Sequence, residues 1–199
     1  MTSAAASPAR SREWDELAER MRGCTACPEL AATRMSVVVG AAPPAARLLL
    51  VGEAPGAAED ETGRPFVGKA GVVLDAGLAA AGLSRSDVAV ANVLKCRPPR
   101  NRRPEPAEVA HCRGWLEAQL ELIDPVLVVP LGLTATAWFL GPRLVLRDVR
   151  GRVHEAGGRS VLPTYHPSAA LRFGPRGEPM RLLHEDLAAA AQLVAAAAA

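Results

Sequence analysis

The chain has little to offer a membrane or an export pathway. Its Ala/Ser-rich start, Met1 to Ser11, lacks the apolar core of a signal peptide. The Ala/Leu stretch from Leu187 to Ala199 is too short for a bilayer span. These features predict a cytoplasmic setting with no membrane partner. Charge of one sign is equally scarce: 23 basic against 21 acidic residues leave a net charge of +2. Global charge therefore does not announce a nucleic-acid partner, and local clusters must carry that question. Cysteine is sparse as well, with four in the chain. In a reducing compartment four thiols are expected to hold a metal rather than pair as disulfides. No internal repeat and no composition break divides the sequence.

What is present suits one globular domain. Apolar residues make up 49% of the 199 residues, enough for a sizeable core. The reading places a disordered tail over 1–12, a single domain over 13–192 and a frayed Ala-rich tail over 193–199. Trp14, Leu17, Ala18 and Met21 recur at helical spacing. Val37 to Val39 reads as a short strand. Apolar runs at Leu48 to Val51, Val88 to Leu94, Pro125 to Val129 and Ser160 to Pro163 read as buried strands. Helical patterns lie between them, over Val72 to Leu78, Glu105 to Leu122 and Gly132 to Leu140, and a last one closes the chain over Met180 to Gln192. Four strands alternating with helices predict an α/β fold, a three-layer αβα sandwich with a four-stranded, mainly parallel sheet. The segment Arg147 to His154 is polar and Gly-punctuated.

One stretch, Arg47 to Gly71, joins a buried strand to a loop rich in Gly, Pro and acid and then to a helix. That order presents loop residues at a strand's carboxyl end, where ligands bind in α/β sheets. Gly63 to Lys69 imitates a phosphate-binding P-loop, but Ala70 stands where a Ser or Thr must hold magnesium. The stretch also does not directly follow its strand, so nucleotide hydrolysis is excluded. Glu53, Asn92 and His166 all lie at or just beyond strand ends, so three polar side chains converge on one sheet edge.

Cys24 and Cys27 form a Cys-x-x-Cys that follows a helix and ends on Pro28, unlike a thioredoxin motif. With Cys96 and Cys112 they supply four thiolates, suited to a tetrahedral zinc or to a [4Fe–4S] cluster; spacing does not choose. Either would staple the N-terminal segment to the loop Lys95 to Pro104 and the helix after it. That loop carries Lys95, Arg97, Arg100, Arg102 and Arg103 among prolines. The prolines restrict the backbone and reduce the entropy lost on binding, so phosphate contact is the natural use. A non-catalytic zinc module binding nucleic acid would explain the basic loop and cysteines. It leaves Glu53, Phe66, Asn92 and His166 without a purpose.

In order and spacing these motifs resemble the family-4, iron–sulfur uracil-DNA glycosylases. The matching residues are Gly52-Glu-Ala-Pro-Gly56 with Glu59-Asp60, Gly63-Arg-Pro-Phe-Val-Gly68, Asn92-Val-Leu-Lys-Cys96-Arg-Pro-Pro, Asn101-Arg-x-Pro104 and His166-Pro-Ser-x-x-x-Arg172. The resemblance implies a monomeric, monofunctional DNA-repair enzyme that flips uracil out of DNA and leaves an abasic site. It implies a uracil site of Gly52, Glu53, Ala54, Gly56, Phe66, Asn92 and His166. Phe66 would stack on the base and Asn92 would read its edge. His166 and Glu53 would be catalytic, with Glu59 and Asp60 as further candidates to orient water. Relatives best known for this fold carry an Asp where Ala54 stands. Lys95, Arg97, Arg100, Asn101, Arg102, Arg103, Ser168 and Arg172 would face DNA, and Cys24, Cys27, Cys96 and Cys112 would hold a [4Fe–4S] cluster. A related group traps DNA through a histidine at the position of Asn101, so ordinary turnover without an adduct is expected.

Overall fold

A computed structural model describes residues 8–44 and 46–197. The strands are β1 (Leu48–Gly52), β2 (Val88–Asn92), β3 (Leu127–Pro130), β4 (His154–Ala156) and β5 (Arg159–Val161). They form one sheet in the order β2-β1-β3-β5-β4, parallel except for the β4–β5 hairpin. Every residue of β1, β2 and β3 is buried, as a parallel sheet covered on both faces requires.

Successive side chains on a strand point to opposite faces. Leu48, Leu50, Val88, Val90 and Val129 accordingly pack with Leu74 and Leu78 of α4 (Lys69–Ala80) and Leu183 and Leu187 of α9 (Glu178–Ala196). On the other face Leu49, Val51, Ala91 and Val128 meet Leu116 and Leu120 of α5 (Pro106–Ile123) and Ala135 of α6 (Leu133–Leu140). Outside α5 lies α1 (Pro8–Arg22), which buries Leu17, Ala18 and Met21 against Val39, Trp115 and Leu122. The three-layer sandwich is as expected from the alternating pattern. Because β1 has β2 on one side and β3 on the other, the chain reverses direction of winding there, and the crevice above β1 is where α/β ligands bind.

Four differences from the sequence reading have physical causes. The sheet has five strands, not four: a Gly157-Gly158 turn, with φ of 56° and 73°, folds His154–Ala156 back on β5. Both turn residues lie in the left-handed region that suits a tight hairpin. The acidic loop contains α3 (Ala57–Thr62). Val37 to Val39 is extended without becoming a strand; Val38 N–H donates to Lys95 O, and an isolated antiparallel bridge joins Ala41 to Val90. Finally, α1 begins at Pro8 and α9 runs to Ala196, so both tails are shorter than drawn; 1–7, 198 and 199 lie outside the described residues. No described helix is long and apolar enough to cross a membrane.

Candidate active site

The carboxyl ends of β1 and β2 meet at Gly52 and Asn92, which are register partners. Asn92 is 2% exposed, and its Oδ1 is buried with no hydrogen-bond partner. Leaving a buried amide oxygen unpaired costs roughly 1–3 kcal/mol, so such an atom in a cleft marks a place for a ligand donor. Phe66 closes the same corner, and its ring centroid lies 5.8 Å from that of His166, tilted by 32°. These residues line one cleft with Glu53 to Gly56, Lys69, Pro98, Asn101, Ser168 and Leu171.

Phe66 holds an unusual backbone, φ 52°, in the left-handed region that aromatic residues avoid. Its turn is fixed from two sides. Glu59, on α3, accepts N–H bonds from Val67 at 2.9 Å and Gly68 at 2.8 Å, and a third from Gly56 at 3.1 Å. Arg85 donates from Nη2 to Phe66 O at 2.8 Å while its Nε donates to Asp75. The turn at Phe66 is thus held by two charged side chains, of which Glu59 also lines the cleft.

His166 follows β5 as the residue before α8 (Pro167–Phe173). Its Nδ1 accepts from Ser168 N–H at 3.1 Å and lies 2.8 Å from Ser168 Oγ. An acceptor Nδ1 leaves the ring proton on Nε2, the free edge of the imidazole. Burial pushes the His166 pKa down to about 4, only partly offset by Glu59. The ring is therefore neutral near pH 7, with a single N–H to donate. Glu53, just past β1, accepts from Thr134 Oγ1 at 2.5 Å, so α6 orients it across the β1–β3 crevice.

The four cysteines line a second cavity with Leu30, Arg34, His111 and Trp115. Each sulfur faces a nitrogen: Arg34 Nη1 donates to Cys96 at 3.1 Å, Trp115 Nε1 to Cys24 at 3.4 Å and Lys95 N–H to Cys112 at 3.4 Å, while His111 Nδ1 lies 3.7 Å from Cys27. Burial, and then the neighbouring sulfurs, push the Cys112 thiol up to about 11 against the pull of Lys95. Cys27 and Cys96 are raised as well, chiefly by burial. Buried thiols pushed up in this way become thiolates together only around a cationic centre, and N–H···S contacts are the surroundings such a centre takes. Among the described residues no three His, Cys, Asp or Glu side chains close around a single metal ion.

A family model described as the uracil DNA glycosylase superfamily matches residues 39–188. A type-4 uracil-DNA glycosylase of Thermotoga maritima is 46% identical over 173 residues, covering 86% of this chain and 89% of the relative. One from Archaeoglobus fulgidus is 41% identical, covering 79% and 82%. A type-5 uracil-DNA glycosylase of Thermus thermophilus is 34% identical, covering 75% and 84%. The chain belongs to the uracil-DNA glycosylase superfamily, in its type-4 branch.

On this glycosylase scaffold the residues picked out by sequence divide into three groups. Gly52, Glu53, Ala54, Gly56, Phe66, Asn92 and His166 converge on the cleft or its walls. Arg100, Asn101, Arg103, Ser168 and Arg172 are exposed, and Arg97 is half-buried with its Nε donating to Asn101 Oδ1 at 2.7 Å. Arg100 and Asn101 both have left-handed φ, 55° and 57°, which turns the loop sharply beside the cleft.

The third group is corrected. Lys95 does not face DNA: it is 1% exposed, and burial pushes its pKa down to about 8. Arg102 is bound to Glu108 at 2.7 Å and Glu29 at 2.8 Å, so it ties the loop to α5 and to α2 (Pro28–Thr33). That hydrogen bonding also lowers the Glu108 pKa. Glu59 spends its oxygens on three backbone N–H groups, and Asp60 accepts from Met35 and Ser36 N–H at 2.9 and 3.1 Å. Asp60 does not line the cleft, and Glu59 lines it with both oxygens already accepting backbone N–H groups. Arg85 and Thr134 escaped the sequence reading, because nothing in a lone Arg or Thr signals a contact so far along the chain.

Proposed function

We propose that the chain excises uracil from DNA, breaking the bond between uracil and deoxyribose and leaving an abasic site. The observation that carries this reading is the unpaired Asn92 Oδ1, which meets the Phe66 ring in the space above Gly52. An amide there offers an acceptor for uracil N3–H and a donor for O4, where cytosine would mismatch both. The target nucleotide leaves the stack, at a cost of a few kcal/mol, and its base slides against Phe66. Arg97, Arg100, Arg103 and Arg172 hold the phosphates around the cleft.

As the bond lengthens, positive charge grows on the sugar and negative charge on the base. Neutral His166 donates its Nε2–H to the uracil oxygen, a preorganised contact that needs no proton transfer to form. Water adds to the sugar carbon and its proton goes to the departing base. Glu53 lines the cleft and accepts one bond, from Thr134, against three for Glu59, and it orients that water. Cys24, Cys27, Cys96 and Cys112, whose sulfurs line one cavity and face nitrogen groups of Arg34, Lys95, His111 and Trp115, would hold a [4Fe–4S] cluster. When bound, the cluster supplies cross-linking of the basic loop to the N-terminal segment rather than a reacting group.

The test is incubation with a labelled oligonucleotide carrying one uracil, followed by alkali cleavage at abasic sites. Cleavage at the uracil position alone is expected. Intact strands, from protein absorbing near roughly 400 nm as iron–thiolate bonding does, would refute the assignment.

A further inference from the structure

Lys95 heads the fully buried side chains ranked by volume, and it is charged. Its ammonium donates to Asn92 O at 2.6 Å and to Gln119 Oε1 at 2.6 Å. Gln119, on α5, is 0% exposed and donates from Nε2 to Val39 O at 2.7 Å. Both ammonium acceptors are neutral. The sulfurs of Cys112 and Cys96 are the anionic groups that favour its charge. Burying a cation is costly even so, and its two bonds to neutral groups need a reason of their own.

Geometry supplies one. The outer edge of β2 is bridged at Val90 by Ala41, and two residues on, at Asn92, that bridge has ended. Lys95 folds back three residues to give the Asn92 carbonyl the donor that a neighbouring strand would have given. Meanwhile Val93 and Leu94 donate to Gly52 O and Glu53 O on the inner side. The Asn92 backbone is therefore held from both sides, which fixes the point from which its side chain leaves the sheet. The same Lys95 donates its own N–H to Cys112 Sγ and accepts from Val38 N–H. It is the residue through which the cysteine cavity and the base-reading amide share a frame.

We propose that Lys95, with Gln119 as its anchor, is a positioning residue for Asn92, acting on uracil recognition through that amide. The inference rests on the glycosylase reading above. Lys95→Met and Gln119→Met test it, each alone and combined with Asn92→Ala. The readout is single-turnover excision of uracil with excess enzyme, beside melting temperature and absorbance near roughly 400 nm. Gln119→Met touches no cysteine and decides the matter if Lys95→Met disturbs the cluster.

Each variant is expected to slow excision by about tenfold, equivalent to about 1.4 kcal/mol, in the otherwise unchanged protein. In the Asn92→Ala background each should add no more than about twofold, because the path runs through that side chain. Losses that multiply fully in both backgrounds would overturn the inference, as would failure of both variants to fold, which would mark the pair as structural. If the unaltered protein leaves uracil in place, it is the glycosylase reading that fails.

Discussion

Gly52 and Asn92 end neighbouring parallel strands so close together that a Cβ on the glycine would stand 2.3 Å from Asn92 Oδ1. The same Cβ would lie 2.5 Å from Phe66 Cζ. Both neighbours are buried side chains with nowhere to retreat except into the cleft. Gly52→Ala should fold with about 1–3 kcal/mol less stability, the usual penalty for overpacking. It should lose excision by more than about a hundredfold, since misplacing reacting groups by an ångström has that effect. Denaturant unfolding and single-turnover cleavage check the two halves separately. Near-normal cleavage would mean that the base does not bind between these residues.

The low pKa of His166 makes a prediction about pH. An ordinary histidine gains charge as pH falls through about 6.5. Here burial delays that to about 4. Excision attributed to neutral His166 should therefore be flat from pH 7 down past 6 and decline only toward 4. Stability moves in the same window. Between about 6.5 and 4 the unfolded chain binds a proton at this site that the native chain does not, so stability falls as pH falls, by up to about 1.4 kcal/mol per unit. Replacing His166 by Gln should flatten that slope in urea titrations. A rate profile with an inflection near 6.5 that vanishes in His166→Gln would show a histidine that titrates normally.

How much of this was legible follows from what each signal measures. The strands β1, β2 and β3 announce themselves because a doubly covered parallel strand must be apolar throughout. The β4–β5 hairpin does not, since its strands are short and polar; only Gly157-Gly158 hinted at it. Glu53, Asn92 and His166 stood out because they lie at or just beyond strand ends, whereas Gly52 and Phe66 were picked out by the resemblance to the glycosylase family. Burial of charge was not. Glu59 and Asp60 read as candidates to orient water, and Lys95 as a DNA contact, until the backbone and side-chain groups that hold them are located. Those partners come from Met35, Val67 and Gln119, whose closeness exists only after folding. Arg102 looked like its neighbours in a basic loop, yet Glu29 and Glu108 claim it.

Glu59 offers a direct separation of structural from catalytic acids. Its carboxylate accepts three N–H bonds that shape the turn at Phe66. Glu59→Gln keeps the size but loses one acceptor oxygen and sets an NH2 group against backbone donors. It should lower stability by about 1–3 kcal/mol, the range for leaving a buried group unsatisfied. Affinity for uracil-containing DNA should fall along with rate, because Phe66 would no longer hold its left-handed turn. A variant with unchanged melting temperature but slow chemistry would return Glu59 to the water-orienting role.

Arg103 and Arg102 are adjacent but should behave differently toward salt. Arg103 is exposed, and a phosphate contact there releases counterions when DNA binds. Arg103→Ala should weaken binding to any sequence and reduce the slope of log K against log salt by about 1. Arg102→Ala removes the tie to Glu29 and Glu108, so its main effect should appear in melting temperature and cluster retention. Fluorescence-anisotropy titrations from low to moderate salt measure the slopes. Equal slope changes for both would show that Arg102 leaves its carboxylates to meet DNA.

Removing one thiol tests whether the cluster and the basic loop depend on each other. Cys96 sits at the start of that loop, is 7% exposed and receives the Arg34 guanidinium, which also donates to Cys24 O at 2.7 Å. With the cluster in place, these contacts fasten Arg97, Arg100 and Arg103 in position before DNA arrives, so less order has to be created on binding. Cys96→Ala should abolish absorption near roughly 400 nm and raise Kd for DNA by about tenfold or more. The rate at saturating enzyme should fall less than the affinity, because Phe66, Asn92 and His166 belong to other contacts. Full DNA affinity in the colourless protein would show that the loop is held by Arg102 and its carboxylates alone.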